Sequence, residues 1–391
     1  MTGPKPSRRL LAAAALALLL APTCIAAAKT QSHRPHSKSE IHKSKAKSHK
    51  PRCKAHYLPK RVRVRRREHH RLVWVREWKC VKASSTHTPN NPISPPPGPS
   101  AGTGGATGTN PLPPSKDCAG TPGSGTPNYA TLDACGYPSP DTTGVPAGTT
   151  LTPSGSITAS TPGEVINGLA VSGTIDVSAS NVTIEDTDVA NASSCCWGIR
   201  IESGVTGTVL KYDTIHGTDN QSGSLAFAVY NTGAIGGLTE DHVYAYNVDR
   251  ILQGSGTLTN SFCLSNANIS GEHYECVYDG AGSVVINHDT LLETHSQTGA
   301  TWVGPDFGDI DTYTVENSML AGGGYTLYGA ATNSANPAGG VLVGPVTITN
   351  NRFSRLYFPQ GGYWGPEAYF DPSKTTWSGN VWDDTKQSVP Q

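Results

Sequence analysis

The sequence is short of charge, of methionine and of long apolar runs. Of its 391 residues 15% are Asp, Glu, Lys or Arg, 36% are hydrophobic and two are Met, which excludes a coiled coil built on charged heptads. After residue 28 no apolar run is long enough to cross a bilayer as a helix. A P-loop, a dinucleotide fingerprint, a Gly-x-Ser-x-Gly elbow and a His-Glu-x-x-His zinc motif are all missing, so the common nucleotide, redox, α/β-hydrolase and zinc-protease chemistries find no footing. No Cys-x-x-Cys spacing supports a zinc site. What is plentiful is glycine, 43 residues, and proline, 29, a composition that argues against an α-rich fold.

The formal charge of zero hides a strong division. Residues 1–28 carry three basic groups and no acidic ones, residues 29–117 carry 20 basic and 4 acidic, and residues 118–391 carry 7 and 26. Arg8 and Arg9 precede an apolar run from Leu10 to Ala21, and Ala26, Ala27 and Ala28 follow, the three regions of a secretory signal cleaved after Ala28. The twelve apolar residues reach only about 18 Å as a helix, too short for the bilayer core. Secretion is therefore expected, and with it disulfides among the eight remaining cysteines. Proximity pairs Cys53 with Cys80 and Cys118 with Cys135, while the pairing of Cys195, Cys196, Cys263 and Cys276 stays open.

Residues 29–82 form a basic tail. Its first half is Lys, His and Ser with little to bury and should not fold. Apolar and basic residues then alternate over 61–65 and 72–76, with Glu68, His69 and His70 between, which predicts a β-hairpin bracketed by Cys53 and Cys80. Such a tail serves either as a solvated spacer or as an electrostatic anchor to an anionic cell-wall polymer; nothing in it reads nucleic-acid bases. Residues 83–117, rich in Pro, Gly and Thr, are a linker.

The acidic domain, 118–391, repeats itself. A six-residue unit, apolar at both ends, recurs at 166–171, 184–189, 210–215, 238–243, 258–263, 286–291, 315–320, 348–353 and 377–382. Each copy has Gly, Asn or Asp at its third or fourth place: Gly168, Asp186, Asp213, Asp241, Asn260, Asp289, Asn317, Asn350 and Asn380. These residues tolerate a left-handed backbone corner. A second apolar series, Ile201, Val229, Leu252, Val277, Val303 and Leu327, runs beside it. Short strands, regular corners and no helical stretch predict an all-β parallel coil of about nine rungs, each stacking on the last, rather than a sandwich of alternating strands.

At this level the chain resembles the right-handed parallel β-helix proteins of the pectate-lyase-like superfamily, secreted bacterial members above all. The resemblance spans about residues 135–385. It rests on Cys135-Gly136-Tyr137-Pro138, Thr143-Gly144-Val145-Pro146, the Val-Thr-Ile repeats at 182 and 346, the run Gly323 to Gly329, Asn351-Arg352-Phe353-Ser354-Arg355 and Gly362-Tyr363-Trp364-Gly365-Pro366. Where similar proteins carry Gly-x-His-x-Asp-Gly-Ile-Gln, this chain has Gly271-Glu272-His273-Tyr274-Glu275-Cys276-Val277-Tyr278. The histidine is kept; Asp, Gly and Gln have become Glu275, Cys276 and Tyr278. The resemblance implies a handedness and a link to extracellular polysaccharide.

If the second apolar series faces inward, strand alternation turns Glu202, Tyr230, Gln253, Tyr278, Gly304 and Tyr328 outward as a sugar-binding column. Two places earlier stand Arg250 and Glu275 on neighbouring rungs, in reach of an ion pair. A polysaccharide lyase would use His273 or Tyr278 to take the proton, with Arg250 neutralising the growing charge and Glu275 orienting. A glycoside hydrolase would use Glu275 and Asp279 as its carboxyl pair. Asp306, Asp309 and Asp311 offer oxygen ligands for Ca²⁺, though around Pro305 and Gly308 turn chemistry alone explains them. The aromatic run from Tyr357 to Trp382 could bind glycan and suits better a cap over the open end of the coil. The expected function is to act on or bind extracellular polysaccharide, with a lyase the leading activity. The alternatives are a non-catalytic glycan-binding or adhesive solenoid and a structural surface protein.

Overall fold

A computed structural model describes residues 57–68, 71–82, 117–191, 196–219, 223–233, 237–329 and 340–391, the first two segments as backbone alone. The expected signal, the first half of the tail and the linker lie outside these residues, as does any bond between Cys53 and Cys80. Tyr57–Glu68 pairs antiparallel with Arg71–Lys82, Val64 opposite Val75 and Arg65 opposite Trp74. This is the hairpin that the alternation predicted, longer at both ends.

The acidic domain is a parallel β-solenoid. Its rungs climb through three faces. On the first, nine short strands from Val165–Asn167 to Thr375–Ser378 form one parallel sheet. After a tight corner the chain enters the second face and then the third. Those two run together as one 18-stranded sheet because strands such as Tyr244–Gln253 turn from one to the other without a break. Among the described residues no α-helix stands between successive strands of the coil; the rung itself makes the crossover that parallel pairing requires.

The core is a set of stacked columns. Ile166 pairs with Ile184 and Ile184 with Leu210, and further along Leu258 pairs with Ile286, Val315 with Ile348 and Ile348 with Trp377. One expected copy is out of register. The column passes from Leu210 to Glu240 and on to Leu258, so the fourth unit is 240–245 and not 238–243, and a carboxyl stands where the other rungs place an apolar side chain.

The corners also differ in detail from expectation. The left-handed residue is the third of every unit: Gly168, Asp186, Tyr212, His242, Asn260, His288, Asn317, Asn350 and Gly379 all have positive φ. The fourth place does another job. At Asp213, Ser261, Asp289, Ser318, Asn351 and Asn380 its side chain accepts from the backbone N–H one rung below, as in Ser261 N–H to Asp289 at 2.6 Å, Ser318 N–H to Asn351 at 2.9 Å and Asn351 N–H to Asn380 at 3.1 Å. Asp213, Asp289 and Asn380 thus satisfy buried backbone donors, while Tyr212, His288 and Gly379 beside them make the turn.

Residues 118–145 form a strap along the outside of the second face. A short helix, Tyr129–Ala134, is capped by the Asn128 side chain and fastened by the Cys118–Cys135 disulfide, as predicted. Leu132 and Tyr137 pack on Phe262, Leu292, Met319 and Ala321. The strap reaches from the last rung, where Ala119 N–H donates to Asp383 at 2.9 Å, to the fourth, where Gly144 N–H donates to the His242 carbonyl at 2.7 Å. A second disulfide, Cys263–Cys276, lies in the core, and Cys196 is also disulfide-bonded. Phe353, Phe370, Trp377 and Trp382 close the far end of the core, as the cap reading required, but Tyr363, Trp364 and Tyr369 stay exposed.

Candidate functional site

The outward column of the third face is fixed by strand register. Arg200 pairs with Tyr230, Tyr230 with Gln253, Gln253 with Tyr278, Tyr278 with Trp302 and Trp302 with Tyr328. Tyr230, Gln253, Tyr278 and Tyr328 therefore share one column as expected. Glu202 and Gly304 do not belong to it; their places are taken by Arg200 and Trp302. The shift arises because Thr301, not Val303, faces Val277, and Thr301 can occupy the core because its hydroxyl bonds that of buried Tyr313. Glu202 stays near the column's end, paired with Arg200, whose guanidinium also meets Asp176 at 3.0 Å.

Tyr278 and Trp302 stack face to face, centroids 4.8 Å apart and planes within 5°, the spacing of successive rungs. The described residues place no other ring on Trp302. Instead it borders a shallow groove of about 340 Å³, shared with His273, Ser296, Gln297, Thr298, Gly324, Tyr328 and Trp364. Trp364 is 63% exposed. Three aromatic side chains and a row of neutral hydrogen-bonding groups thus line one depression. The His273 Nδ1 lies 3.3 Å from Gln297 Nε2 and 3.4 Å from the Thr298 hydroxyl.

Behind the groove wall sits the predicted ion pair. Arg250 meets Glu275 Oε2 through Nη2 at 2.6 Å and Nε at 2.8 Å, and donates from Nη2 to the His273 carbonyl at 2.6 Å. Its Nη1 is 3.3 Å from Asp249, and the rings of Phe227 and Tyr278 lie 5.2 and 5.4 Å from its charge. Burial opposes charge on Arg250, and the carboxylates of Asp249 and Glu275 outweigh it and keep the group protonated. Every face of this guanidinium is taken within the protein. Burial raises Glu275 to about 7, against the pull of Arg250. Burial, with Asp306 and Glu275 nearby, drives Tyr278 above the ordinary phenol range, the opposite of what a tyrosine base needs.

The remaining sequence candidates are placed elsewhere. Asp279 is buried at the end of the strand Glu275–Asp279, accepting from the Ser255 hydroxyl at 3.1 Å and the Ala281 N–H at 3.3 Å. Burial raises it to about 7. It and Glu275 are committed to different partners, and neither lines the groove, so they do not form a hydrolytic pair across it. Asp306 lies 3.4 Å from the Tyr278 hydroxyl, Asp309 accepts from Val341 N–H at 2.8 Å and Asp311 is exposed. Among the described residues no three His, Cys, Asp or Glu side chains converge to hold a metal ion.

Sequence reasoning missed Trp302 and Gln297 as groove residues, and Asp249 and Glu293 as neighbours of Arg250, whereas Trp364 belongs to the aromatic run it offered for glycan or for the cap. Trp302 became legible only with the true register. Among the described residues no helix is long and apolar enough to cross a membrane, and the disulfides fit an oxidising compartment. Family models, curated proteins and solved structures were all compared with the chain, and none matches it.

Proposed function

We propose that the protein is a secreted glycan-binding β-helix, of the pectate-lyase-like type, whose third face takes a neutral polysaccharide in the groove between Trp302, Tyr328 and Trp364. The supporting observation is the end of the aromatic stack. Trp302 stacks on Tyr278 and also lines the groove, where a pyranose ring can lay its C–H face on the indole. Ser296, Gln297, Thr298 and His273 offer hydroxyl-matching donors and acceptors around it. Tryptophan and tyrosine suit such sites because each joins apolar area to a polar tip.

A neutral ligand is favoured over a uronate because no Lys or Arg is among the described groove-lining residues and Arg250, behind the wall, is spent on Glu275, Asp249 and the His273 carbonyl. The same fact weakens the lyase reading, which needs that cation for the substrate carboxylate, and the raised Tyr278 removes one of its two bases. Binding without cleavage is therefore the reading the geometry favours. The basic tail, residues 29–82, would add attachment to anionic wall polymers.

Affinity electrophoresis of the whole protein in gels of neutral and acidic polysaccharides tests this. A neutral glycan should retard it, and Trp302→Ala or Tyr328→Ala should weaken binding about tenfold, the loss of ~1.4 kcal/mol. Retardation by polyuronates alone, or equal binding by both variants, overturns the proposal. New reducing ends or unsaturated products that vanish in His273→Ala restore the enzyme reading.

A further inference from the structure

The Arg250 group holds more acid than it can neutralise. Around one guanidinium stand Glu275, Asp249 and, at 3.8 Å, Glu272, with Glu293 behind them. Asp249, Glu275 and Glu293 are almost wholly buried, and the one partner of Asp249 Oδ2 among the described residues is the Arg250 guanidinium, at 3.3 Å. Buried carboxylates in such numbers are costly unless some keep their protons. This group is also what the groove wall hangs from. Arg250 holds the His273 carbonyl, and Glu293 Oε1 takes the His295 backbone N–H at 2.7 Å and its ring Nδ1 at 2.6 Å. Tyr274 stacks on His295 at 3.8 Å, and Gln297 reaches back to the Glu272 carbonyl at 3.3 Å. Residues 272–275 and 295–298 thus form one wall with two anchors, both in the same acidic group.

We propose that Asp249, Glu275 and Glu293, gathered around Arg250, form a proton-operated latch that holds the groove wall in place and releases it as protons leave. The groove is then shaped for its ligand in mildly acidic surroundings and loosened in alkaline ones. The charged and titratable groups facing the latch come from the elements packed there: Asp249 and Arg250 from one strand, Glu275 and Tyr278 from the next, Glu272, His273 and Tyr274 from the loop before it, Glu293 and His295 from the second face, with the Tyr328 phenol near Glu275 and the Tyr357 phenol near Glu293. Burial raises Asp249, Glu275 and Glu293 above the carboxylate range and lowers His295. The closed wall therefore binds more protons than an opened one with solvated carboxyls. Such a difference favours the closed form at low pH and removes that advantage as pH climbs from the ordinary glutamate value near 4.5 through about 7.

The significance of the latch rests on the groove being the ligand site, but its test reads the wall directly. Hydrogen exchange of the full chain, corrected for intrinsic rates, should show protection of residues 272–275 and 295–298 falling about tenfold or more between about pH 5 and about pH 8. The first-face strand Gly282–Asn287 should stay nearly constant. Glu293→Gln keeps an acceptor for His295 while supplying permanently what the proton supplies, and should flatten the wall's response. Equal wall protection at both pH values in the native protein overturns the latch, as does a Glu293→Gln protein that loosens like the native one. If that variant does not fold, the native profile decides alone. A titration with cellohexaose separates the two readings: a pH-responsive wall that binds no oligosaccharide leaves the latch standing and the glycan proposal fallen. A rigid wall with unchanged binding does the reverse.

Discussion

Glu240 is the residue at which the molecule departs furthest from its own pattern. It is fully buried between Leu210 and Leu258, and neither carboxyl oxygen has a hydrogen-bond partner. Burial raises its pKa well above 4.5, helped by Asp289 and Asp213, so the native state holds this group as a neutral acid. The folded form then binds a proton that the unfolded form releases, and the stability it contributes falls as pH rises above about 4.5. Glu240→Leu should raise stability by roughly 1–3 kcal/mol at neutral pH and by less near pH 4.5. Urea melts at the two pH values check this; a destabilised Leu variant would mean that the carboxyl has a role inside the core. The residue also shows why sequence reading slipped there. Leu238 and Val243 copy the six-residue frame, and only burial of an acid at 240 restores true register.

At the scale of the element, the corner between the first and second faces divides its work between two adjacent residues. The third place supplies the left-handed turn and the fourth the buried hydrogen bonds. Nine corners were legible from sequence because Gly, Asn and Asp cluster there, yet which of the two places turns was not. Tyr212, His242 and His288 carry positive φ although bulky side chains disfavour it; Tyr212 and His242 offset part of that cost by stacking at 4.5 Å. Asn350 and Asn351 separate the two roles in one corner. Asn350 is exposed with φ 59°, whereas Asn351 is buried, accepts from Ser318 N–H and donates to the Val315 carbonyl at 2.8 Å. Asn350→Gly should change stability by less than about 0.5 kcal/mol. Asn351→Ala leaves two buried backbone groups unpaired and should cost about 2–4 kcal/mol. Thermal melts of the pair decide; equal losses would remove the division of labour.

On the scale of the whole molecule, a solenoid is coupled only between neighbouring rungs, so its ends can open without its middle. The strap changes that. It ties the last rung, through Asp383, to the fourth, through His242, and covers the apolar second face in between. Arg352, fully buried, sits at its start against the Cys118 sulfur and 3.3 Å from Asp383. None of this was legible in the repeat, because residues 118–145 share none of its pattern; only the spacing of Cys118 and Cys135 marked a closed loop. The disulfide closes 17 residues of separation, a loop worth about 3 kcal/mol in chain entropy. Replacing Cys118 and Cys135 together by Ser should therefore cost about 2–4 kcal/mol. It should also change the form of unfolding. With the strap loosened, the rungs after residue 285 lose their link to the fourth and should open before the rest. With the other five tryptophans replaced by Phe, so that fluorescence reports Trp377 and Trp382 at the far end, the urea transition followed by fluorescence should then separate from one followed by far-ultraviolet circular dichroism. Coincident transitions in the double variant would show that the rungs hold together through stacking alone, and that the strap only covers a face.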